Sequence, residues 1–327
     1  MTATDLDSLL PRLDTLRSAL AQAVVGQHEV VEHLLIGLLA GGHCLLEGAP
    51  GLGKTLLVRS LGQALELQFR RVQFTPDLMP SDILGTELLE EDHGTGKRAF
   101  RFQQGPVFTN LLLADELNRT PPKTQAALLE AMQERTVSYA GTTYALPAPF
   151  FVLATQNPIE QAGTYPLPEA QLDRFLLHVR VDYPSETEER DILAQTTGSH
   201  SGVVPKVMDS DAVLALQAAV REVHVSPDLL SWITRLVRAS RPGEGAPAEV
   251  NNWIKWGAGP RAGQSLVLAA KARALLQGRF AATREDVQAL AAPVMRHRLL
   301  LSFAAEAEHK SADDVIAALL RAVPFPA

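Results

Sequence analysis

Gly48-Ala49-Pro50-Gly51-Leu52-Gly53-Lys54-Thr55 decides the fold of this chain. Every fixed position of the pattern G-x-x-x-x-G-K-[ST] is filled, and the flanks are of the kind that pattern requires. Residues 43–47 before it read as a short buried strand, and residues 56–67 after it as a helix. Strand, loop and helix in that order make a phosphate cradle. The glycines let backbone N–H groups turn inward around a polyphosphate, which a Cβ would obstruct. The helix aims the positive end of its dipole at the same anion. Lys54 is then placed to reach the β- and γ-phosphates of a nucleoside triphosphate, and the Thr55 hydroxyl to ligate magnesium. An ordinary glycine-rich turn is the competing reading, and the ordered strand and helix on either side argue against it.

Outward from the loop, residues 6–24 and 27–40 carry apolar residues at helical spacing, and residues 68–74 read as a strand. Leu111-Leu112-Leu113-Ala114 is a continuous apolar run, as expected for a parallel strand covered on both faces. Pro121-Pro122 opens a helix that runs through Glu134, proline being tolerated in a first turn. Residues 136–146 alternate around Ala140-Gly141 as a hairpin does, and 150–154 and 175–181 are further strands. Residues 75–105, rich in proline, glycine and charge, interrupt this rhythm and read as irregular. After Asp182-Tyr183-Pro184 the strands stop. Ser185 and Glu188 have capping-box spacing, and helical patterns continue to the end, punctuated by prolines at 205, 227, 242, 247 and 260. The expectation is an α/β domain over 1–184, built on a parallel sheet flanked by helices, and an all-helical domain over 185–327.

The chain has 327 residues, 46% apolar and 20% charged, which fits a globular protein of two domains. No apolar run is long enough for a membrane span, and the first ten residues carry two Asp and no base, unlike a secretory or transit peptide. The single Cys44 excludes an internal disulfide. These features point to the cytoplasm. A net charge of −7 argues against sequence-independent nucleic-acid binding, which needs clustered Lys and Arg.

Five further residues complete a candidate site. Asp115-Glu116 directly follows the 111–114 run, and in parallel sheets the strand ends carry the ligand. Asp115 would hold magnesium through water, and Glu116 would orient and deprotonate the attacking water. Asn157 ends the 150–154 strand in Ala154-Thr155-Gln156-Asn157-Pro158. Its amide suits positioning of the lytic water or contact with the γ-phosphate, and an Asn-Pro turn is the plain alternative. Arg174 precedes the 175–181 strand. Its planar, permanent charge suits a transferring phosphoryl group on a neighbouring subunit, against a surface ion pair with Asp173 or Glu169. Arg261 follows Gly257-Ala258-Gly259-Pro260 at a helix start, where a cation opposes the dipole.

Taken together the chain resembles the MoxR family of AAA+ ATPases over nearly its whole length. The matching stretches are Val25-Gly26-Gln27, the 48–55 loop, and Asp115-Glu116-Leu117-Asn118-Arg119-Thr120-Pro121-Pro122-Lys123-Thr124-Gln125-Ala126-Ala127-Leu128-Leu129-Glu130-Ala131-Met132. Ala154-Thr155-Gln156-Asn157-Pro158, Pro168-Glu169-Ala170-Gln171-Leu172-Asp173-Arg174-Phe175 and Gly259-Pro260-Arg261-Ala262 follow. The resemblance implies ATP and Mg2+ as ligands, Lys54 and Thr55 in Walker A, Asp115 and Glu116 in Walker B, and Asn157 as sensor 1. It implies Arg174 as an arginine finger and Arg261 as sensor 2, the latter serving its own nucleotide or a neighbour's. Residues 75–105 correspond to the helix-2 insert of this clade and 136–146 to the hairpin before sensor 1, both facing the channel of a ring, by resemblance a hexamer. Phe100 and Phe102 lie in the insert. Partners implied are a von Willebrand factor A domain protein and a client enzyme matured by a chaperone-like motor, often through metal or cofactor insertion. A magnesium-chelatase-like subunit, a nucleic-acid motor of the same clade, and a scaffold that binds ATP without turnover are the alternatives.

Two other patterns have plainer readings. In His28-Glu29-Val30-Val31-Glu32-His33 the second His falls one place too late to share a helix face with the first, so a partly exposed helix is expected rather than a zinc site. Trp253 and Trp256 are expected to pack between the domains rather than to form a partner patch. Arg119 is read equally as a salt bridge or a contact to an adjacent subunit.

Overall fold

The structure, a computed structural model, describes residues 3–24, 26–49, 51–91, 98–157, 163–196 and 204–326. Val25, Pro50 and Pro158 of the motifs, and residues 92–97 of the insert, lie outside the described residues. Two helices, α1 (Ala3–Ala23) and α2 (His28–Leu39), precede strand β1 (Cys44–Gly48), helix α3 (Lys54–Ala64) and β2 (Phe69–Gln73). Next come α4 (Pro80–Leu84), β3 (Gly85–Glu91), β4 (Arg98–Gln104), β5 (Leu111–Asp115) and α5 (Pro122–Glu134). The hairpin β6 (Thr136–Tyr139) and β7 (Thr142–Ala145) leads to β8 (Phe151–Gln156), α6 (Glu169–Leu172) and β9 (Leu177–Val181). The remainder comprises α7 (Glu186–Thr196), α8 (Ser210–Glu222), α9 (Pro227–Ala239), α10 (Ala248–Trp253), β10 (Ile254–Trp256), α11 (Pro260–Leu276), α12 (Arg284–Met295), β11 (Leu300–Leu301), α13 (Phe303–Ala307) and α14 (Ala312–Ala322).

Five strands form one parallel sheet in the order β2-β5-β8-β1-β9. The strands are short and apolar, and alternate side chains enter two separate cores. Leu111, Leu113, Phe151, Leu153, Cys44 and Leu46 join the core beneath α1–α3. Leu112, Ala114, Val152, Ala154 and Leu45 join the core beneath α4 and α5. The first core runs without a break into the C-terminal helices, where α11 packs against α2, α8, α9 and α12. His33 belongs to its wall: it is buried, and burial pulls its pKa down to about 4, while neighbouring Glu32 pairs with Arg273 at 3.3 Å.

The outer side of β9 is closed by the turn after α12. Arg298 donates to the Phe175 carbonyl at 2.7 Å and to Asp173 Oδ1 at 2.7 Å, and Arg296 donates to the His178 carbonyl at 3.1 Å. Carbonyls at a sheet edge are thereby satisfied by side chains instead of a sixth strand. The Arg298 side chain is 2% exposed; burial lowers its pKa and Asp173 opposes that shift. Ser185 and Glu188 form the expected cap at the start of α7, with the Ser185 N–H donating to Glu188 Oε2 at 2.8 Å.

Three expectations are corrected. Residues 75–105 contain α4 and the antiparallel β3–β4 hairpin, whose regular pairing the density of Pro, Gly and charge hid. Phe102 of β4 stacks on Tyr144 of β7 with ring centroids 4.5 Å apart, joining the two hairpins, whereas Phe100 is 71% exposed. The helical part also contains a two-strand ribbon, β10 with β11. The two tryptophans separate. Trp253 is partly buried within the C-terminal part instead of between the domains, donating to Glu308 at 3.1 Å beneath Lys310, and Trp256 is 74% exposed. The ribbon register shifts between Ile254 and Trp256, and such an irregularity re-aims the side chain that follows it.

Candidate nucleotide site

Gly51 and Gly53 take φ of +83° and +74°, a region costly for residues with a Cβ. A Cβ at either would meet no protein atom within 4 Å, so the space beside the loop is open. Gly48 is different. A Cβ there would lie 2.5 Å from the Val181 carbonyl oxygen. Glycine at 48 is required by the close approach of β9, a steric constraint separate from the open loop positions of Gly51 and Gly53. Ala49 is buried behind the loop, and Gln27 Nε2 donates to the Leu52 carbonyl at 2.6 Å, tying the loop to the start of α2.

Lys54 opens α3, and Thr55 follows half-buried. The Lys54 ammonium donates to the Gly48 carbonyl at 2.5 Å and has no carboxylate within ion-pair distance among the described residues. Burial lowers its pKa, while Asp115, Glu116 and Glu47 pull it back up. A half-buried cation without a counter-ion, beside two glycines that leave their surroundings open, fits a polyphosphate. The donors also fit a hard cation that travels with such an anion: the Thr55 hydroxyl and the Asp115 carboxylate are oxygen ligands of the type magnesium takes. No group of three His, Cys, Asp or Glu among the described residues forms a metal cage, so phosphate oxygens and water would supply the remaining positions.

Strand order brings the other candidates to the same end of the sheet. β8 lies between β1 and β5, so Asn157, buried just after β8, falls between the loop strand and Asp115. Side chains two apart share a face. Hence Arg71 and Gln73 of β2, Asp115 of β5 and Thr155 of β8 all stand on the α3 side. They close a ring of hydrogen bonds. Thr155 Oγ1 donates to Asp115 Oδ1 at 2.7 Å and accepts from the Glu116 N–H at 2.8 Å. Arg71 donates to Asp115 Oδ2 through Nε at 3.0 Å and Nη2 at 2.7 Å, and Nη2 also reaches Gln73 Oε1 at 2.8 Å. Gln73 Nε2 donates to Glu116 Oε2 at 2.6 Å. Arg119 Nη1 donates to that same oxygen at 2.9 Å, so the salt-bridge reading of Arg119 is the one seen in the chain. Glu116 itself has φ +58°, a conformation held by these contacts.

Arg174 and Arg261 are elsewhere. β9 begins beside Cys44 and ends beside Gly48, and Arg174 precedes β9, so it lies at the opposite end of the sheet from the loop. Four residues of strand put about 13 Å between those ends. Arg261 Nη1 sits 3.9 Å from Asp173 Oδ2, at that same far end. Asp173 is taken by Arg298 and Arg261 and not by Arg174, whose guanidinium has no ion pair among the described residues. The structure therefore gathers Lys54, Thr55, Asp115, Glu116 and Asn157, and separates Arg174 and Arg261 from them as a second group.

Sequence reasoning missed Thr155, Arg71 and Gln73. Thr155 stood inside a quoted motif, one face-sharing step before Asn157, and Arg71 and Gln73 have the period-two spacing of one strand face. That signal selects a face but not the neighbouring strand, so their partners were not legible.

Two family models match: the ATPase family associated with various cellular activities over residues 43–177, and the AAA lid domain over 248–319. The chaperone MoxR1 of Mycobacterium tuberculosis is 42% identical over 98% of this chain and 85% of its own length. The protein MoxR of Paracoccus denitrificans is 36% identical over 95% of both chains. A crystal structure from Cytophaga hutchinsonii, of a protein provisionally described as an ATPase, superposes with a TM-score of 0.90 at 40% identity, covering 99% of this chain and 98% of that one. With the parallel sheet, the helical lid and near-complete alignment in agreement, the chain belongs to the MoxR family of AAA+ ATPases.

Proposed function

We propose that this protein binds ATP with Mg2+ and hydrolyses it between neighbouring subunits of a ring, driving the remodelling of a partner protein. The observation that carries the reading is the half-buried Lys54 ammonium, without a carboxylate partner among the described residues, at the sheet end that also holds Asp115 and Glu116. The 48–55 loop, including Pro50, would wrap the phosphates, with Lys54 on the β- and γ-phosphates. Thr55, and Asp115 through water, would hold the magnesium, which when bound neutralises phosphate charge. Glu116 Oε2 is occupied by Gln73 and Arg119. Oε1 is the oxygen left to take a proton from water as the water oxygen attacks the γ-phosphorus. The bond to the β–γ bridging oxygen breaks and ADP departs with the electron pair. Asn157 is buried where it can orient that water.

Arg174 and Arg261 lie at the far end of the sheet and would serve the nucleotide of the next protomer. An arginine so supplied is worth roughly 10³–10⁵ in turnover. A contact that joins one end of a protomer to the other end of its neighbour is heterologous, the kind that builds a ring when its rotation closes; the ring, a hexamer, follows from the family resemblance. We take 1–184 as the nucleotide-binding domain and 185–327 as the lid, a division supported by the last sheet strand ending at Val181. The β3–β4 and β6–β7 hairpins, joined through Phe102 and Tyr144, would face the ring channel. The partners are a von Willebrand factor A domain protein and a client enzyme whose maturation, or metal or cofactor insertion, the motor assists. A cytoplasmic location is supported by the lone, buried Cys44; no described helix is long and apolar enough to cross a membrane.

The test pairs two variants. Glu116→Gln is expected to bind ATP normally by calorimetry and release no phosphate above background, and Lys54→Ala to lose most ATP affinity. Full turnover in Glu116→Gln rejects its role as base, and normal affinity in Lys54→Ala rejects the loop assignment.

A further inference from the structure

Asp115, the proposed magnesium carboxylate, already has a cation. Both Arg71 contacts fall on a single oxygen, Oδ2, at 3.0 and 2.7 Å, while Oδ1 is occupied by the Thr155 hydroxyl. Lys54 does not compete, because its ammonium is on the Gly48 carbonyl. Nor is the Arg71 fork adrift. Its Nη2 is shared with Gln73 Oε1 at 2.8 Å, and Gln73 stands two residues along the same strand face. The pair is also built to yield. β2 is the edge strand of the sheet, and the Arg71 side chain is 47% exposed against 16% for Asp115. An ion pair that open to solvent is weak, about 1 kcal/mol or less, and a divalent ion held together with a triphosphate outweighs it.

We infer that Arg71 is the counter-ion that magnesium must displace from Asp115, so that Arg71 sets the magnesium concentration at which nucleotide is gripped. It is a positioning residue, acting through Asp115 and not on the phosphates. This rests on the ATP–Mg2+ reading above. Without metal, Arg71 neutralises a carboxylate that would otherwise repel the incoming triphosphate. With metal, the guanidinium swings to solvent, which its exposure permits, and Oδ2 is freed.

The experiment is a magnesium titration of full-length protein with fluorescently labelled ADP, the affinity in excess EDTA serving as baseline. Arg71→Gln is expected to lower the magnesium midpoint by about two- to five-fold, the range for losing one partly exposed charged competitor worth up to about 1 kcal/mol. Arg71→Lys, which keeps the charge and loses the fork, should fall between. Adding Arg71→Gln to Asp115→Asn should move the midpoint no further than Asp115→Asn alone. A midpoint unmoved or raised in Arg71→Gln, or a full further drop in the Asp115→Asn background, overturns the role of Arg71 while leaving the nucleotide site standing. Wild-type protein that binds no labelled nucleotide at any magnesium concentration overturns the site assignment and this inference with it.

Discussion

Thr155→Val removes one hydroxyl at nearly constant volume, and that hydroxyl joins the Asp115 carboxylate to the Glu116 backbone. It donates to Asp115 Oδ1 at 2.7 Å and accepts from the Glu116 N–H at 2.8 Å, and Thr155 is 1% exposed. A hydrogen bond to a charged group is worth about 1.5–3 kcal/mol, and an orphaned buried N–H costs about 1–3 kcal/mol. The two losses share one atom and are not additive, so a destabilisation of about 3 kcal/mol is expected. At about 2.1 cal/mol/K per residue a chain of 327 residues shifts by about 1.5 °C per kcal/mol, so the melting temperature should fall by about 4–5 °C. The functional loss should be larger than the thermal shift implies. Glu116 sits at φ +58°, a conformation disfavoured by about 1–2 kcal/mol in a residue with a Cβ, and its N–H contact with Thr155 helps to hold it there. Released, the carboxylate moves, and a displacement of about 1 Å can cost on the order of 10²-fold in rate. The assay is steady-state phosphate release beside thermal melting, with Thr155→Ser as control because it keeps the oxygen. Wild-type turnover in Thr155→Val, or a Ser variant as impaired as the Val one, refutes the bridging role.

Two further outcomes test the assembly and the core. Arg174→Ala and Lys54→Ala, each inactive alone, should regain part of the ATPase activity when mixed and allowed to exchange subunits; failure of well-mixed hetero-oligomers to recover any hydrolysis contradicts an arginine acting across the interface. Stability should fall as pH drops from about 6.5 towards 4, because His33 and His43 are buried and each has its pKa pulled down to about 4. The folded groups stay neutral in that window while the unfolded ones bind protons, which makes the slope about 1.4 kcal/mol per pH unit for each histidine. His43 is bonded on both sides, to the Met132 carbonyl at 3.1 Å and from the Val152 N–H at 3.0 Å, so its Nδ1 can accept a proton only by breaking the second bond. His43→Gln should flatten the slope measured by urea unfolding at several pH values; an unchanged slope excludes His43 as a source.

Much of this protein was written in local pattern. The loop over 48–55, the strand-end carboxylates, the hairpin over 136–146 and the change to helix after 184 each depend on residues within a few positions of one another, where backbone geometry, turn chemistry and side-chain period act directly. The 75–105 hairpin was missed because its paired strands carry charge on exposed faces instead of the apolar alternation that marks a half-buried strand. Trp256 was misjudged because burial of a large ring is a tendency, and a shift of register in a two-strand ribbon overrode it.

What the chain by itself determined is a list of chemically apt groups: the Gly-Lys-Thr loop, the Asp-Glu pair, the Asn and the two arginines. Only the tertiary structure decided which of them meet. The insertion of β8 between β1 and β5 places Asn157 between loop and carboxylates, and the pairing of β2 with β5 sets Arg71 and Gln73 against Asp115 and Glu116. The direction of β9 sends Arg174 to the other end of the sheet, where Arg298 and Asp173 gather Arg261 beside it. The physical reason is one of range. Propensity and periodicity act along a few residues of chain, whereas strand order is a choice among non-local pairings that the sum of two cores settles, and no short stretch of sequence encodes it.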